Sequence, residues 1–275
     1  MTAIIAEKPL CARLAILYDG AKSLLNQADA VAGRRQDDGW GVCCSGPGAK
    51  ALLKKSPAPA RLEKAGFIKA VRAAAGSNIV LAHLRDASGP KGPRSAPAGG
   101  RNNVHPFCAD GLMFAHNGKL FISDEIKNSL GKYARFVKGT TDSEVLFWQV
   151  VKMMDAYGDA GLAVEMALDE INTVWLSCRG RYPRRDAPYS GLNVMLADRN
   201  NLRVFCLYPD KKDRGCLLTP GWEYGRIAWR GGAGAFTFSS EPLDDGKWNK
   251  LAYMQLAHAS LSKGRLDLKI KTIVA

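Results

Sequence analysis

The chain has 275 residues and carries 39 Lys and Arg against 26 Asp and Glu, a net charge of +13. Its 47% apolar and 24% charged residues, with a mean hydropathy of −0.16, describe a folded globular protein and exclude a disordered or collagen-like one. No apolar run approaches the roughly 18 residues of a membrane helix, and no basic stretch precedes a long apolar one at the N-terminus. Neither membrane spanning nor secretion is expected.

Residues 2–6 (TAIIA) read as a short apolar strand, rich in β-branched residues and followed by Glu7-Lys8-Pro9. From Pro9 to about Gln27, Leu10, Leu14, Leu17, Ala21 and Leu24 recur at steps of four, three, four and three, which is helical spacing and places Cys11 in a helix. Strand-like runs follow at 39–44, 78–83, 112–115, 192–196, 202–207 and 235–239, and helical patterns at 61–75, 142–157 and 159–172. Close strand spacing after residue 190, with the turn signal Asp198-Arg199-Asn200-Asn201, predicts antiparallel pairing. The stretch 88–103 holds four glycines and three prolines and reads as a lid-like loop. No repeat or boundary divides the chain, so one domain over 1–275 is expected, with 244–275 as a C-terminal extension.

Seven cysteines, at 11, 43, 44, 108, 178, 206 and 216, form an odd set without C-x-x-C spacing. That argues against a disulfide framework or zinc ribbon and for the reducing cytoplasm. Histidines at 83, 105, 116 and 258 lack ligand spacing, so neither a metal nor another cofactor is expected. Cys108 has no nucleophile motif around it. Basic residues concentrate locally at Arg34/Arg35, Lys54/Lys55, Arg179/Arg181/Arg184/Arg185 and Lys211/Lys212, without a periodic face interleaved with aromatics. They read as solvated surface, and nucleic acid is not the expected partner.

Short polar segments carry the chemistry: Asp38-Gly39-Trp40-Gly41, His83-Leu84-Arg85-Asp86-Ala87-Ser88, His105-Pro106-Phe107, Ala115-His116-Asn117-Gly118, Thr140-Thr141-Asp142-Ser143-Glu144 and Phe238-Ser239-Ser240-Glu241-Pro242-Leu243. In this order, behind an apolar strand at residue 2, the set resembles the glutaminase domain of class II glutamine amidotransferases. The resemblance spans residues 2 to about 243 and is densest over 38–148. It implies an α+β fold, the four-layer αββα sandwich of two antiparallel sheets of N-terminal nucleophile hydrolases.

The resemblance also implies roles. Arg85 matches the arginine holding the α-carboxylate of glutamine, a task suited to a guanidinium fork, and Ser88 a hydroxyl residue near the same carboxylate. Asp142 matches the aspartate holding the α-ammonium; by position alone it also reads as a helix N-cap. Asn117 and Gly118 match the oxyanion donors, although Asn-Gly is equally a hairpin signal. His105 is expected to shape the pocket. Where the family has its nucleophilic cysteine, this sequence has Thr2. A threonine works at a free N-terminus, where an α-amine with a pKa of about 7.7–8.0 takes the hydroxyl proton; a retained Met1 would block that amine. Cleavage before Cys11 is the alternative route to an N-terminal nucleophile, at the expense of the TAIIA strand.

The expected function is thus a glutaminase subunit releasing ammonia from glutamine. The chain ends soon after Leu243, so the ammonia acceptor is expected on a separate synthase subunit. The alternative is a catalytically weakened homologue that binds glutamine or a related amino acid, or serves as a structural subunit.

Overall fold

The computed structural model describes residues 1–31, 34–46, 51–87, 100–209 and 215–273. In chain order the strands are β1 (Thr2–Ala6), β2 (Trp40–Ser45), β3 (Leu52–Ser56), β4 (Ile79–Leu84), β5 (Phe107–Ala109), β6 (Leu112–Leu120), β7 (Tyr189–Ala197), β8 (Asn201–Cys206), β9 (Ala228–Gly232), β10 (Ala235–Ser239), β11 (Asn249–Lys250), β12 (Gln255–Ser262) and β13 (Arg265–Thr272). The α-helices are α1 (Leu24–Gln27), α2 (Lys64–Ala73), α3 (Ser123–Ser129), α4 (Asp142–Tyr157) and α5 (Ala160–Cys178). One sheet runs β11-β9-β10-β1-β4-β2-β3 and the other β13-β12-β8-β7-β6-β5. Every strand pairing among the described residues is antiparallel.

Three cores hold four layers together. Ala3, Ile5, Leu81 and Phe238 of the first sheet meet Met113, Met195 and Val204 of the second between the sheets. On the outer side of the first sheet, Ile4, Val42, Val80 and Ala82 pack against Leu14, Leu17 and, from α2, Phe67 and Val71. On the outer side of the second, Phe114, Val194 and Phe205 pack against Phe147 and Val150 of α4 and Leu168 and Ile171 of α5. Strand alternation produces this: odd residues of β1 enter the inter-sheet core and even ones the helix-covered core. The result is the expected αββα sandwich.

The expected single helix over 9–27 is instead a 3-10 turn, Cys11–Leu17, and the short α1. Gly20 at φ +90° breaks the run, and the Ser23 side chain caps α1 by accepting from the Asn26 amide. The apolar spacing persists because Leu10, Leu14, Leu17 and Leu24 still share one core. The expected hairpin at Asn117-Gly118 is likewise not a turn, since β6 runs straight through both residues. The turn falls at Asp110-Gly111, between Ala109 and its partner Leu112, with φ of 50° and 77° as a two-residue primed turn requires. Residues 244–273 contribute β11 to one sheet and β12 and β13 to the other.

The sheets approach closely where β2 passes the segment preceding β5. A Cβ added to Gly41 would lie 2.1 Å from the His105 carbonyl oxygen and 2.9 Å from Pro106 Cδ. Gly41→Ala is therefore expected to lower stability by about 1–3 kcal/mol in urea denaturation, whereas Gly76→Ala, where a Cβ meets nothing within 4 Å, leaves the midpoint nearly unchanged; equal effects would refute close packing at residue 41.

Candidate active site

The polar motifs gather where β4 and β10 end and β2 begins, beside residues 117 and 118 within β6. Asp38-Gly39 is laced to the chain leaving β4: Arg85 N donates to Gly39 O at 2.8 Å, Asp38 N donates to Arg85 O at 3.1 Å, and Asp38 Oδ2 accepts from Ala87 N at 2.8 Å. Arg85 is 9% exposed, and its guanidinium reaches Asp38 O at 3.4 Å. Burial lowers its pKa, while neighbouring Asp38, Asp142 and Asp86 favour its charge.

Two residues before Arg85, His83 lies beside Asn117 Oδ1 at 3.0 Å, joining β4 to β6 across the sheets. Asn117 Nδ2 donates to Ser240 Oγ at 2.8 Å. Gly118 follows at φ +140°, where a Cβ would strike Gly191 O at 1.8 Å. A side chain is thus excluded twice, by conformation and by contact.

Asp142 opens α4, whose N-cap is its neighbour: the Thr141 side chain accepts from Glu144 N at 3.2 Å. The Asp142 carboxylate is used elsewhere, with Oδ2 accepting from Leu120 N at 2.7 Å, two residues past Gly118. The loop before α4 is held by Glu144, which accepts from Lys138 N and Gly139 N, and by Asn103, which pairs with Thr140 through both side-chain atoms. Asn103 thereby ties the end of the 88–103 loop to the helix that positions Asp142. Ser88 lies outside the described residues.

His105 is 4% exposed and stacks on His83 with ring centroids 4.3 Å apart. Neither of its ring nitrogens has a hydrogen-bond partner among the described residues. Burial, reinforced by nearby cations, pushes both imidazoles well below the usual histidine range.

The N-terminal strand shows where the nucleophile question stands. Thr2 pairs with Ser239 on one side and Ala82 on the other, and its Oγ1 lies 2.8 Å from Ser239 Oγ. By alternation it shares the helix-covered face with Ile4 and Ala6, whereas Met1 shares the inter-sheet face with Ala3 and Ile5. The Met1 amine, rather than the Thr2 hydroxyl, therefore meets the Asn117 side of the site, donating to Ser240 Oγ at 3.0 Å. Burial lowers this amine to about 5. Cys11 stands apart: it is exposed at the start of the 3-10 turn, with Sγ 3.6 Å from Ala75 O.

Ser240 and His83, which directly hold Asn117, belong to motifs visible in the sequence, yet no spacing marks them as its partners. No group of three or more His, Cys, Asp or Glu among the described residues could hold a metal. No described helix is long and apolar enough to cross a membrane.

The family model described as class II glutamine amidotransferases matches residues 11–207. No curated protein matches this chain. Among solved structures, a glutamine aminotransferase class-II domain protein from Silicibacter pomeroyi superposes with a TM-score of 0.60 at 17% identity, covering 99% of both chains. The glutamine phosphoribosylpyrophosphate amidotransferase of B. subtilis, complexed with ADP and GMP, gives 0.60 at 14% identity, covering 98% of this chain and 48% of that one. An allosteric regulatory enzyme of purine biosynthesis gives 0.62 at 14% identity with the same two coverages. This chain thus spans about half the length of the latter two. At these identities the structural likeness establishes the fold.

The buried neutral histidines set a pH dependence. Unfolding exposes His83 and His105 to water, where they bind protons near pH 6.5; the folded state excludes those protons, so stability falls as pH drops below about 6.5. Between pH 7.5 and 5.0 the urea midpoint is expected to decrease, each histidine contributing up to about 1.4 kcal/mol per pH unit, and His105→Phe is expected to flatten that slope. A slope unaltered by His105→Phe would show that His105 is not buried neutral.

Proposed function

Because the chain belongs to the class II glutamine amidotransferase family, whose chemistry is amide hydrolysis by an N-terminal nucleophile, we propose that this site binds glutamine and releases its amide nitrogen as ammonia to a separate synthase subunit. The observation that carries this reading is the joining of the motifs at one place. His83 links Arg85 to Asn117 along β4 and across the sheets, and Leu120 links Gly118 to Asp142. Arg85 takes the glutamine α-carboxylate, Asp142 its α-ammonium, and Asn117 with the Gly118 amide the oxygen of the side-chain amide. His105 shapes the pocket, and Ser88 is assigned to the same carboxylate as Arg85 by the family resemblance alone.

Thr2 attacks once Met1 has been removed. In a free N-terminal residue, rotation about Cα–C carries the Thr2 side chain into the place of the amine on the Asn117 face, and the amine on the same carbon stays beside the hydroxyl as base. A specific observation favours a second reading, in which the domain binds glutamine without hydrolysing it: with Met1 present, the Thr2 hydroxyl is bonded to Ser239 and faces away from Asn117. The exposed basic loop bearing Arg179, Arg181, Arg184 and Arg185 is suited to an acidic face of the synthase. We place the reaction in the cytoplasm, whose reducing poise suits a chain with seven unpaired cysteines.

Isothermal titration with glutamine tests the pocket. Arg85→Ala is expected to weaken binding by about 10- to 100-fold, the loss of charge-assisted hydrogen bonds to a carboxylate, and Asp142→Asn to weaken it comparably. Unchanged affinity in both variants would remove this pocket from glutamine recognition.

A further inference from the structure

Cys43 and Cys108 lie in different sheets yet meet. Cys43, in β2, is fully buried on the inter-sheet face. Cys108, in β5, is exposed. The approach at Gly41 explains the meeting: β2 touches His105 and Pro106 at residue 41, and two residues along each chain Cys43 and Cys108 come together, Cys108 pairing with Met113, which shares the inter-sheet core with Cys43. Lys55 of β3 completes the group, with its ammonium 5.2 Å from the centroid of the Phe107 ring and close enough to Cys108 to attract its thiolate. The neighbouring Cys43 thiol and the Lys55 charge lower the Cys108 pKa, whereas burial raises that of Cys43. One thiol is exposed and activated, and the other is buried behind it.

We propose that Cys108 and Cys43 form a peroxide-oxidisable pair whose disulfide fastens the two sheets beside His105. The Cys108 thiolate attacks one oxygen of hydrogen peroxide, the O–O bond breaks, and sulfenic acid forms with release of hydroxide. The Cys43 sulfur then attacks the sulfenic sulfur; the S–S bond forms, and the sulfenic oxygen leaves as water with the thiol proton. In sum, two thiols and one peroxide give one disulfide and two waters. The bond would join β2 to β5 three residues from His105, so oxidation acts on the wall of the glutamine site while using none of its binding groups. Thiol reductants reverse it.

The test exposes the full-length protein to hydrogen peroxide, quenches with catalase, and maps the product by intact mass and non-reducing peptide analysis. The expected result is a loss of two hydrogens, assigned to a Cys43–Cys108 cross-link and restored by dithiothreitol. Cys108→Ser, at an exposed position, is expected to abolish that cross-link, and Cys43→Ser to leave a sulfenic acid on Cys108 that dimedone labels. A cross-link between other cysteines, or wild-type thiols that stay reduced, would overturn the proposal. Because the readout is covalent and needs no glutamine, it stands or falls independently of the titration that tests the pocket.

Discussion

The Ser240 hydroxyl joins the parts of the site. It accepts from the amine of residue 1 and from the Asn117 amide, so the start of the first sheet and the middle of the second are tied at one atom. The tie holds because β1 is clamped on both sides, by β10 and by β4, in a register that aligns Thr2 with Ser239 and Ala82. Side chains alternate with period two, so a slip of one residue would reverse every face of the strand. The start of β1 is thereby fixed to within one residue, and the proposed chemistry turns on which residue stands there.

Around the tie, charge and dryness are separated. Arg85 is anchored through its backbone to Gly39 and Asp38, and Asp142 through its carboxylate to Leu120 N. The space near Asn117 is filled by His83 and by His105 stacked on it, which burial keeps neutral and which therefore add no charge where the proposed oxyanion would form. Donors held in such a setting are worth more than in water and need no rearrangement during reaction.

The sequence exposes this design unevenly. The long periodic pattern over 142–157 coincides with α4, and the run over 235–239 with β10, because burial of one face dictated their residues. The 9–27 pattern misled because its leucines share a core without sharing a helix; Gly20 and the Ser23 cap interrupt the backbone while the burial period survives. Asn117-Gly118 carries a turn signature inside a strand, since the positive φ of Gly118 serves a close approach to Gly191. The edge strand β13 alternates Leu266, Leu268 and Ile270 with charged residues, a visible strand pattern that a reading of the region as an extension passed over. The motifs visible in the sequence come together in space, but the face taken by Thr2 followed only from the pairing of β1 with both neighbours.

The account turns on the first two residues. Intact-mass spectrometry of protein from its native host, before and after incubation with the glutamine analogue 6-diazo-5-oxo-norleucine, tests it most directly. The account predicts a mass lacking Met1 and a single adduct mapped to Thr2. Retained Met1 with no adduct would contradict it and leave a domain that binds without hydrolysing, and an adduct on Cys11 would move the nucleophile to a strand this fold does not contain.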